Sequence, residues 1–338
     1  MDRYIRQSVF PGIGKDGQEK LRAAHVVILG CGALGCSSSM ALARAGVGRL
    51  TLVDRDFPEL HNLNRQILFD ESDVAARLPK AVAAAKRLCG INSEIRLDPI
   101  VADVNPGNIL SIIEGADVVV DGTDNLETRY LLNDAAAKLK IPWVYGGAIA
   151  ASGMWMSFLP GKGPCFRCLF PYRPGAGVGQ TCETAGVIGG LPMAVGGMQA
   201  VETLRILVGE PSVGGRLVSL DGWRGTAAQM DVAQVRSKDC PTCRGEYEFL
   251  DGKHGNRAAL LLCGNTVQIS EPGARPVALD ELAARLATAG EVEANEFLVR
   301  FVPEEGIEIV IFADGRTLVC GTSDLARARS LHARFVGA

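Results

Sequence analysis

The stretch from His25 to Ala45 constrains the fold more than any other part of the chain. It reads HVVIL, then Gly30-Cys31-Gly32-Ala33-Leu34-Gly35, then the Ala-rich run Ser37 to Ala45. A short apolar run rich in β-branched residues predicts a buried strand, the glycines a tight turn and the Ala-rich run a helix. In such a turn the first glycine permits the reversal, the second lets backbone approach a phosphate, and the third lets helix pack on strand. The free N–H groups opening the helix then favour an anion. Gly46 and Gly48 close that helix, and Arg49 to Val53 (RLTLV) predicts a second strand ending at Asp54, where a βαβ nucleotide unit places its ribose-binding acid. A glycine-rich turn by itself can be a packing device. With the strand, the helix and Asp54 around it, Gly30, Gly32, Ala33, Gly35 and Asp54 become candidate nucleotide-binding residues.

The pattern repeats along the chain. Helices are expected at Pro79–Leu88, Asn108–Glu114 and Glu127–Leu139, and strands at Glu94–Pro99, Ala116–Asp121 and Trp143–Tyr145. Alternating β and α segments predict an α/β fold, Rossmann-like and doubly wound, with a mostly parallel sheet covered on both faces. From Ala150 to Gly190 the chain is rich in Gly and Pro. A helix at Met193–Val208 and two strands returning to the sheet, Leu217–Leu220 and Ala227–Val232, are expected beyond it. A polar, turn-rich linker at Asp251–Asn256 separates this domain (1–250) from a small α+β module (257–338). In the module, strands are expected at Thr266–Ile269, Phe297–Val302, Glu308–Phe312 and Thr317–Val319, and helices at Leu279–Ala287 and Ser323–Arg334. Two units also suit a length of 338 residues.

Composition narrows the function. Hydrophobic residues make up 47% and charged residues 22%, which predicts a globular chain with a sizeable core. A net charge of −3 gives no basic excess for nucleic acid or an anionic membrane. The start, MDRYIRQSVFPGIG, lacks a signal-peptide pattern and no apolar run suits a bilayer, so a cytoplasmic location is expected.

Asp54 and a glycine-rich turn also allow NAD and an oxidoreductase. The residues that follow favour phosphate chemistry instead. Asn62-Leu63-Asn64-Arg65-Gln66 and Pro79-Lys80 place two cations downstream, suited to the β- and γ-phosphates of a nucleoside triphosphate. Asp124, in Thr123-Asp124-Asn125 after an apolar strand, lies at the carboxyl edge where ligands bind and suits a Mg²⁺ bridging the phosphates. Each has a bland alternative, a surface ion pair for Arg65 or Lys80 and a helix N-cap for Asp124.

Of ten cysteines, four form two C-x-x-C pairs, Cys165/Cys168 and Cys240/Cys243. Two such pairs suit a tetrahedral Zn²⁺ site closed to substrate, and the 71 residues between them make the metal a staple. Cys182 lies in a Gly-rich segment, and Cys31, Cys36 and Cys89 are expected to be small core hydrophobes.

Taken with Tyr4-Ile5-Arg6-Gln7 at the start and Leu52-Val53-Asp54-Arg55-Asp56, this set of motifs resembles the ThiF/MoeB/HesA family, bacterial relatives of the ubiquitin-activating enzymes. The likeness runs from about Arg3 to about Gly245, with His61 standing where the family often has Ser. It implies a homodimeric adenylyltransferase using ATP, Mg²⁺ and Zn²⁺. Asp54 would hold the ribose, Asn62, Arg65 and Lys80 the triphosphate and Asp124 the metal, with Gln66 and Asn125 also binding the nucleotide and Arg6 reaching the partner's nucleotide in trans. The substrate would be a small ubiquitin-like sulfur-carrier protein ending in Gly-Gly, of the ThiS type in thiamine biosynthesis, with a MoaD-like carrier in molybdopterin biosynthesis as the alternative. Cys182 matches a family cysteine able to bond to the carrier, and a cysteine-desulfurase-type partner would donate sulfur. An NAD-dependent oxidoreductase and a non-catalytic scaffold are the readings from other classes.

Overall fold

The computed structural model describes residues 2–171, 185–253, 259–262, 265–269 and 277–337. The chain divides into two compact units, Met1–His254 and Gly255–Ala338.

The first unit opens with α1 (Ile5–Ser8) and α2 (Gly14–Ala23) and continues with β1 (His25–Leu29), α3 (Ala33–Ala45) and β2 (Arg49–Asp54). Next come α4 (Glu71–Ala75), α5 (Lys80–Ile91), β3 (Arg96–Val101), α6 (Ile109–Ile113), β4 (Val118–Asp121), α7 (Leu126–Leu139) and β5 (Trp143–Ile149). It closes with β6 (Ser152–Phe158), α8 (Phe166–Leu169), α9 (Gly190–Val208), β7 (Arg216–Asp221) and β8 (Thr226–Asp231).

Its eight strands form one sheet in the order β3-β2-β1-β4-β5-β6-β7-β8. β1 to β5 are parallel, whereas β6, β7 and β8 join antiparallel. The sheet is therefore mostly parallel, as expected, with an antiparallel extension at one side. Alternate residues of β1 enter different cores, Val27 and Leu29 on one face, Val26 and Ile28 on the other, and all four are fully buried. Covering both faces explains why HVVIL is apolar throughout. Each such side chain stabilises the fold by roughly 1.5–3 kcal/mol relative to exposure.

β6 was not expected, because Gly153 and the Gly- and Pro-rich residues after it mask its pattern. Gly153 itself is a packing position, since a Cβ there would meet Val195 at 2.6 Å. Cys31 and Cys36 are buried as expected, but Cys89 is exposed on α5 and is not a core residue.

The second unit is an antiparallel sheet in the order β11-β12-β13-β14-β10-β9. Its strands are β9 (Ala259–Leu262), β10 (Thr266–Ile269), β11 (Glu291–Ala294), β12 (Leu298–Glu304), β13 (Ile307–Phe312) and β14 (Thr317–Cys320). Helices α10 (Leu279–Leu286) and α11 (Leu325–Phe335) contribute Leu282, Leu286 and Ala328 to its core. Among the described residues, no helix is long and apolar enough to cross a membrane.

Candidate functional site

In the sheet order, β1 lies between β2 and β4, so the chain turns in opposite directions from β1 and the carboxyl ends of β1 and β4 form a topological switch point. Ligands of open α/β sheets bind at such a switch point. Register places Leu29 beside both Val53 and Asp121, which brings the residues after three strand ends to one level.

After β1, Gly30 takes φ +88°, and a Cβ on Gly35 would sit 1.8 Å from the Gly30 carbonyl oxygen. Gly122, after β4, closes on the same carbonyl, with a Cβ at 2.4 Å. These three glycines are required by the protein's own packing. Gly32 is different: it precedes α3 with φ −73°, and a Cβ there would find only the Gly122 oxygen at 3.8 Å. Space is left at the one glycine assigned to phosphate approach, and Ala33 opens the helix beside it.

After β2, Asp54 accepts hydrogen bonds from the Cys31 N–H at 2.6 Å and the Asp56 N–H at 2.8 Å. Burial pushes its carboxyl up, while Lys80 and these two N–H groups pull it down. Lys80 begins α5 at 8% exposure. Burial lowers its pKa, but the carboxylates of Asp56, Asp54 and Asp124 outweigh that and hold it above the ordinary lysine value. The structure therefore brings Lys80, Asp54 and Asp124 into one electrostatic group around the glycine turn. Asp56 belongs to it too and was missed as a site residue, although its place two residues beyond Asp54 was a signal.

After β4, Asp124 is exposed and makes no hydrogen bond among the described residues. It does not cap α7: Asn125 does, its Oδ1 accepting from the Glu127 N–H at 2.8 Å. The Asp124 carboxylate is thus left for other chemistry, and the Asn125 side-chain oxygen is committed to the helix. The turn is held from beneath. Asp121, fully buried, accepts from the Thr123 N–H and hydroxyl at 3.0 and 2.6 Å and from Arg129 Nε at 2.8 Å. Arg129 also donates to the carbonyls of Thr123 and Gly146 at 2.5 and 2.9 Å. Sequence reasoning missed this pair, which spans strand end to helix.

Asn62 and Gln66 are buried at 5% each and build the turn that carries Arg65. The Glu59 N–H donates to Asn62 Oδ1 at 3.3 Å, and Gln66 Oε1 has no hydrogen-bond partner among the described residues. Arg65 donates to the His61 carbonyl at 2.7 Å and to Asn64 Oδ1 at 2.9 Å, with no ion pair among the described residues. Gly189 packs on this turn, a Cβ there falling 2.6 Å from the Asn64 carbonyl. Among the described residues, no hydrogen bond joins Arg65 to Lys80. Arg6 is exposed on α1 beside exposed Ile5 and near Val9 and Phe10.

The four cysteines meet as their spacing predicts. The sulfurs of Cys165, Cys168, Cys240 and Cys243 lie within 4.8 Å of one another. Separations of 3.7, 3.5 and 3.6 Å for 165–168, 165–240 and 168–243 approach the roughly 3.8 Å expected of sulfurs about 2.3 Å from a tetrahedral Zn²⁺. All four are free thiols. The cluster can hold zinc. Cys182 lies outside the described residues.

A family model described as the ThiF family matches residues 4–242. The chain belongs to the ThiF family. A sulfur carrier protein ThiS adenylyltransferase of Bacillus subtilis is 40% identical over 337 residues, covering 99% of both chains, so this ThiF-family likeness extends through the second unit. A sulfur carrier protein adenylyltransferase of Thermus thermophilus is 40% identical over 253 residues, 73% of this chain and 92% of that one. A crystal structure of MccB from E. coli with AMPCPP and MccA shares the fold at a TM-score of 0.62 and 23% identity, covering 72% of this ThiF-family chain and 74% of that chain.

Proposed function

We propose that the chain adenylates the C-terminal carboxylate of a ubiquitin-like sulfur-carrier protein of the ThiS type. The observation that carries this reading is the charge arrangement at the switch point: Lys80 among carboxylates, exposed Asp124 and a glycine turn with space at Gly32. The likeness of the whole chain to a ThiS adenylyltransferase supports the choice of carrier over a MoaD-like one. A dehydrogenase would not call for Arg65, Lys80 and the cysteine cluster.

The reaction needs no general base, because a carboxylate is already a nucleophile. Its oxygen attacks the α-phosphorus of ATP, the α–β phosphoanhydride bond breaks, and pyrophosphate leaves with the electron pair. Positioning and charge neutralisation then supply the catalysis. The turn at Gly30 to Gly35 and the opening of α3 receive phosphate through backbone N–H groups. Asp54 orients the ribose once its present amide bonds are shared with the nucleotide. Lys80 and Arg65 stabilise the charge gathering on the departing pyrophosphate. Asp124 would hold Mg²⁺, which would neutralise phosphate oxygens. Zinc in the cysteine cluster would staple Cys165–Cys168 to Cys240–Cys243. Arg6 reaches the nucleotide of a second copy in a homodimer, and a sulfur donor of the cysteine-desulfurase type consumes the adenylate. A cytoplasmic location fits these partners.

Intact-mass measurement of a Gly-Gly-ending carrier incubated with the chain, ATP and Mg²⁺ tests the assignment. The carrier should gain one adenylate, and a carrier lacking its last glycine should gain none. An unmodified carrier, or equal modification of both, would contradict it.

A further inference from the structure

One helix touches both the nucleotide edge and the cysteine cluster. At its first turns, α7 supplies Asn125, which caps it, and Arg129, which grips Asp121 and the Thr123 carbonyl beneath Asp124. One turn further on, Asn133 Oδ1 accepts the N–H of Phe166 at 2.9 Å, and Phe166 lies between Cys165 and Cys168. The next residue, Asp134, accepts from the Thr242 hydroxyl at 2.6 Å and the Phe249 N–H at 2.9 Å, and Thr242 lies between Cys240 and Cys243. Adjacent residues of α7 therefore hold one cysteine pair each. Tyr130 adds a hydrogen bond to the Phe170 carbonyl at 2.8 Å and stacks on Phe249 with centroids 4.8 Å apart.

The linking groups are buried: Asp121 and Asp134 at 0%, Asn133 at 2%, Thr242 at 3% and Arg129 at 8%. Apolar packing alone would bring these elements together without fixing their direction. Buried polar groups cost several kcal/mol when unpaired, so these contacts set one position and penalise any other. Arg129 and Asp134 are five residues apart, about 7.5 Å along a rigid helix. A shift of the cysteine pairs would therefore have a short helical path to the Asp124 turn.

We infer that α7 couples the cysteine cluster to the nucleotide site, with Asn133 and Asp134 as positioning residues that act through Arg129 on the Asp124 turn. The inference rests on the nucleotide-site assignment above. It makes zinc and Mg²⁺–ATP mutual ligands: each must tighten the other by the same factor.

The test uses the full chain and no carrier. The affinity for Mg²⁺–ATP is measured by equilibrium dialysis with zinc loaded and stripped, and the affinity for zinc by chelator competition with and without Mg²⁺–ATP. Zinc is expected to tighten nucleotide binding about tenfold, within the usual range of coupling, and Mg²⁺–ATP to tighten zinc by an equal factor. Thr242→Val and Asn133→Ala keep all four cysteines. Each should still bind one zinc per chain while the shared factor falls below about threefold. Arg129→Lys keeps the charge but not the fork, and should weaken nucleotide binding while leaving zinc affinity without nucleotide unchanged.

Should the stripped chain unfold, the zinc-loaded Thr242→Val and Asn133→Ala variants decide through their weakened nucleotide affinity. Nucleotide affinity indifferent to both variants would overturn the coupling. A zinc-loaded wild-type chain that binds no nucleotide would instead overturn the site assignment from which it starts.

Discussion

The three glycines named in the sequence as one motif do different things, and substitution should separate them. Gly35→Ala would drive a Cβ to 1.8 Å from the Gly30 carbonyl, so a fall in thermal midpoint is expected. Gly32→Ala meets nothing closer than 3.8 Å and should leave the midpoint within about 1 °C, on the small effect expected of substitutions that create no strain, while weakening ATP binding by tenfold or more. Calorimetry and nucleotide titration of both variants check this; normal ATP affinity in Gly32→Ala would remove the phosphate-approach role. Asp124→Asn should fold normally, since the carboxylate is exposed and makes no hydrogen bond among the described residues, yet lose roughly 10²–10³ in pyrophosphate exchange. At this scale the sequence exposed Asp54, Lys80 and Asp124, because each follows a recognisable strand or opens a helix. Two things were hidden. Asn125, not Asp124, satisfies the helix end, a choice that depends on backbone geometry at a single residue. Arg129 read as one more helix residue, because its burial against Asp121 comes from tertiary packing.

Elements differ in how plainly they announce themselves. The inner parallel strands were legible because helices cover both faces and leave their sequences largely apolar, whereas β3 at the edge reads RLDPIV. β6 was not, since Ser152 and Gly153 open it and Ser157 interrupts its buried Trp155, Met156 and Phe158. β8 lies exposed along its length at the sheet edge, yet the strand expected at Ala227–Val232 is found there, paired with β7. The cysteine pairs were legible from spacing alone, but their grip on α7 was not, since Asn133 and Asp134 have no motif. Stripping zinc, or Cys243→Ser, should release the residues around Thr242. A fall in thermal midpoint of more than about 5 °C is expected, as each kcal/mol is worth about 2–4 °C in a unit of this size. An unchanged midpoint after complete metal removal would refute the staple.

For the whole molecule, the division at His254 places every assigned nucleotide residue and the cysteine cluster in the first unit. The Thermus relative matches over 253 residues, 73% of this chain and 92% of its own length. A chain ending at His254 should accordingly keep ATP–pyrophosphate exchange within about threefold of the full chain, as expected for a domain with its own core. Loss of exchange in a folded, zinc-loaded truncation would assign the second unit a part in the chemistry. The proposed homodimer can be examined by mixing Arg6→Ala chains with Asp124→Ala chains, each expected to be inactive alone. If Arg6 works in trans, random pairing restores about a quarter of wild-type activity, because half the dimers are mixed and each carries one complete site. No restoration would place Arg6 elsewhere. The two-unit plan was readable from a turn-rich linker, whereas a partner subunit leaves no pattern in a single chain beyond exposed residues such as Ile5, Val9 and Phe10.

The most direct test of the central assignment is exchange of labelled pyrophosphate into ATP by the purified, zinc-loaded chain, with ThiS-like and MoaD-like carriers supplied separately. Exchange that needs a carrier with an intact Gly-Gly end, and is strongest with the ThiS-like one, is the predicted result. Exchange without any carrier, or none with either, would contradict the account.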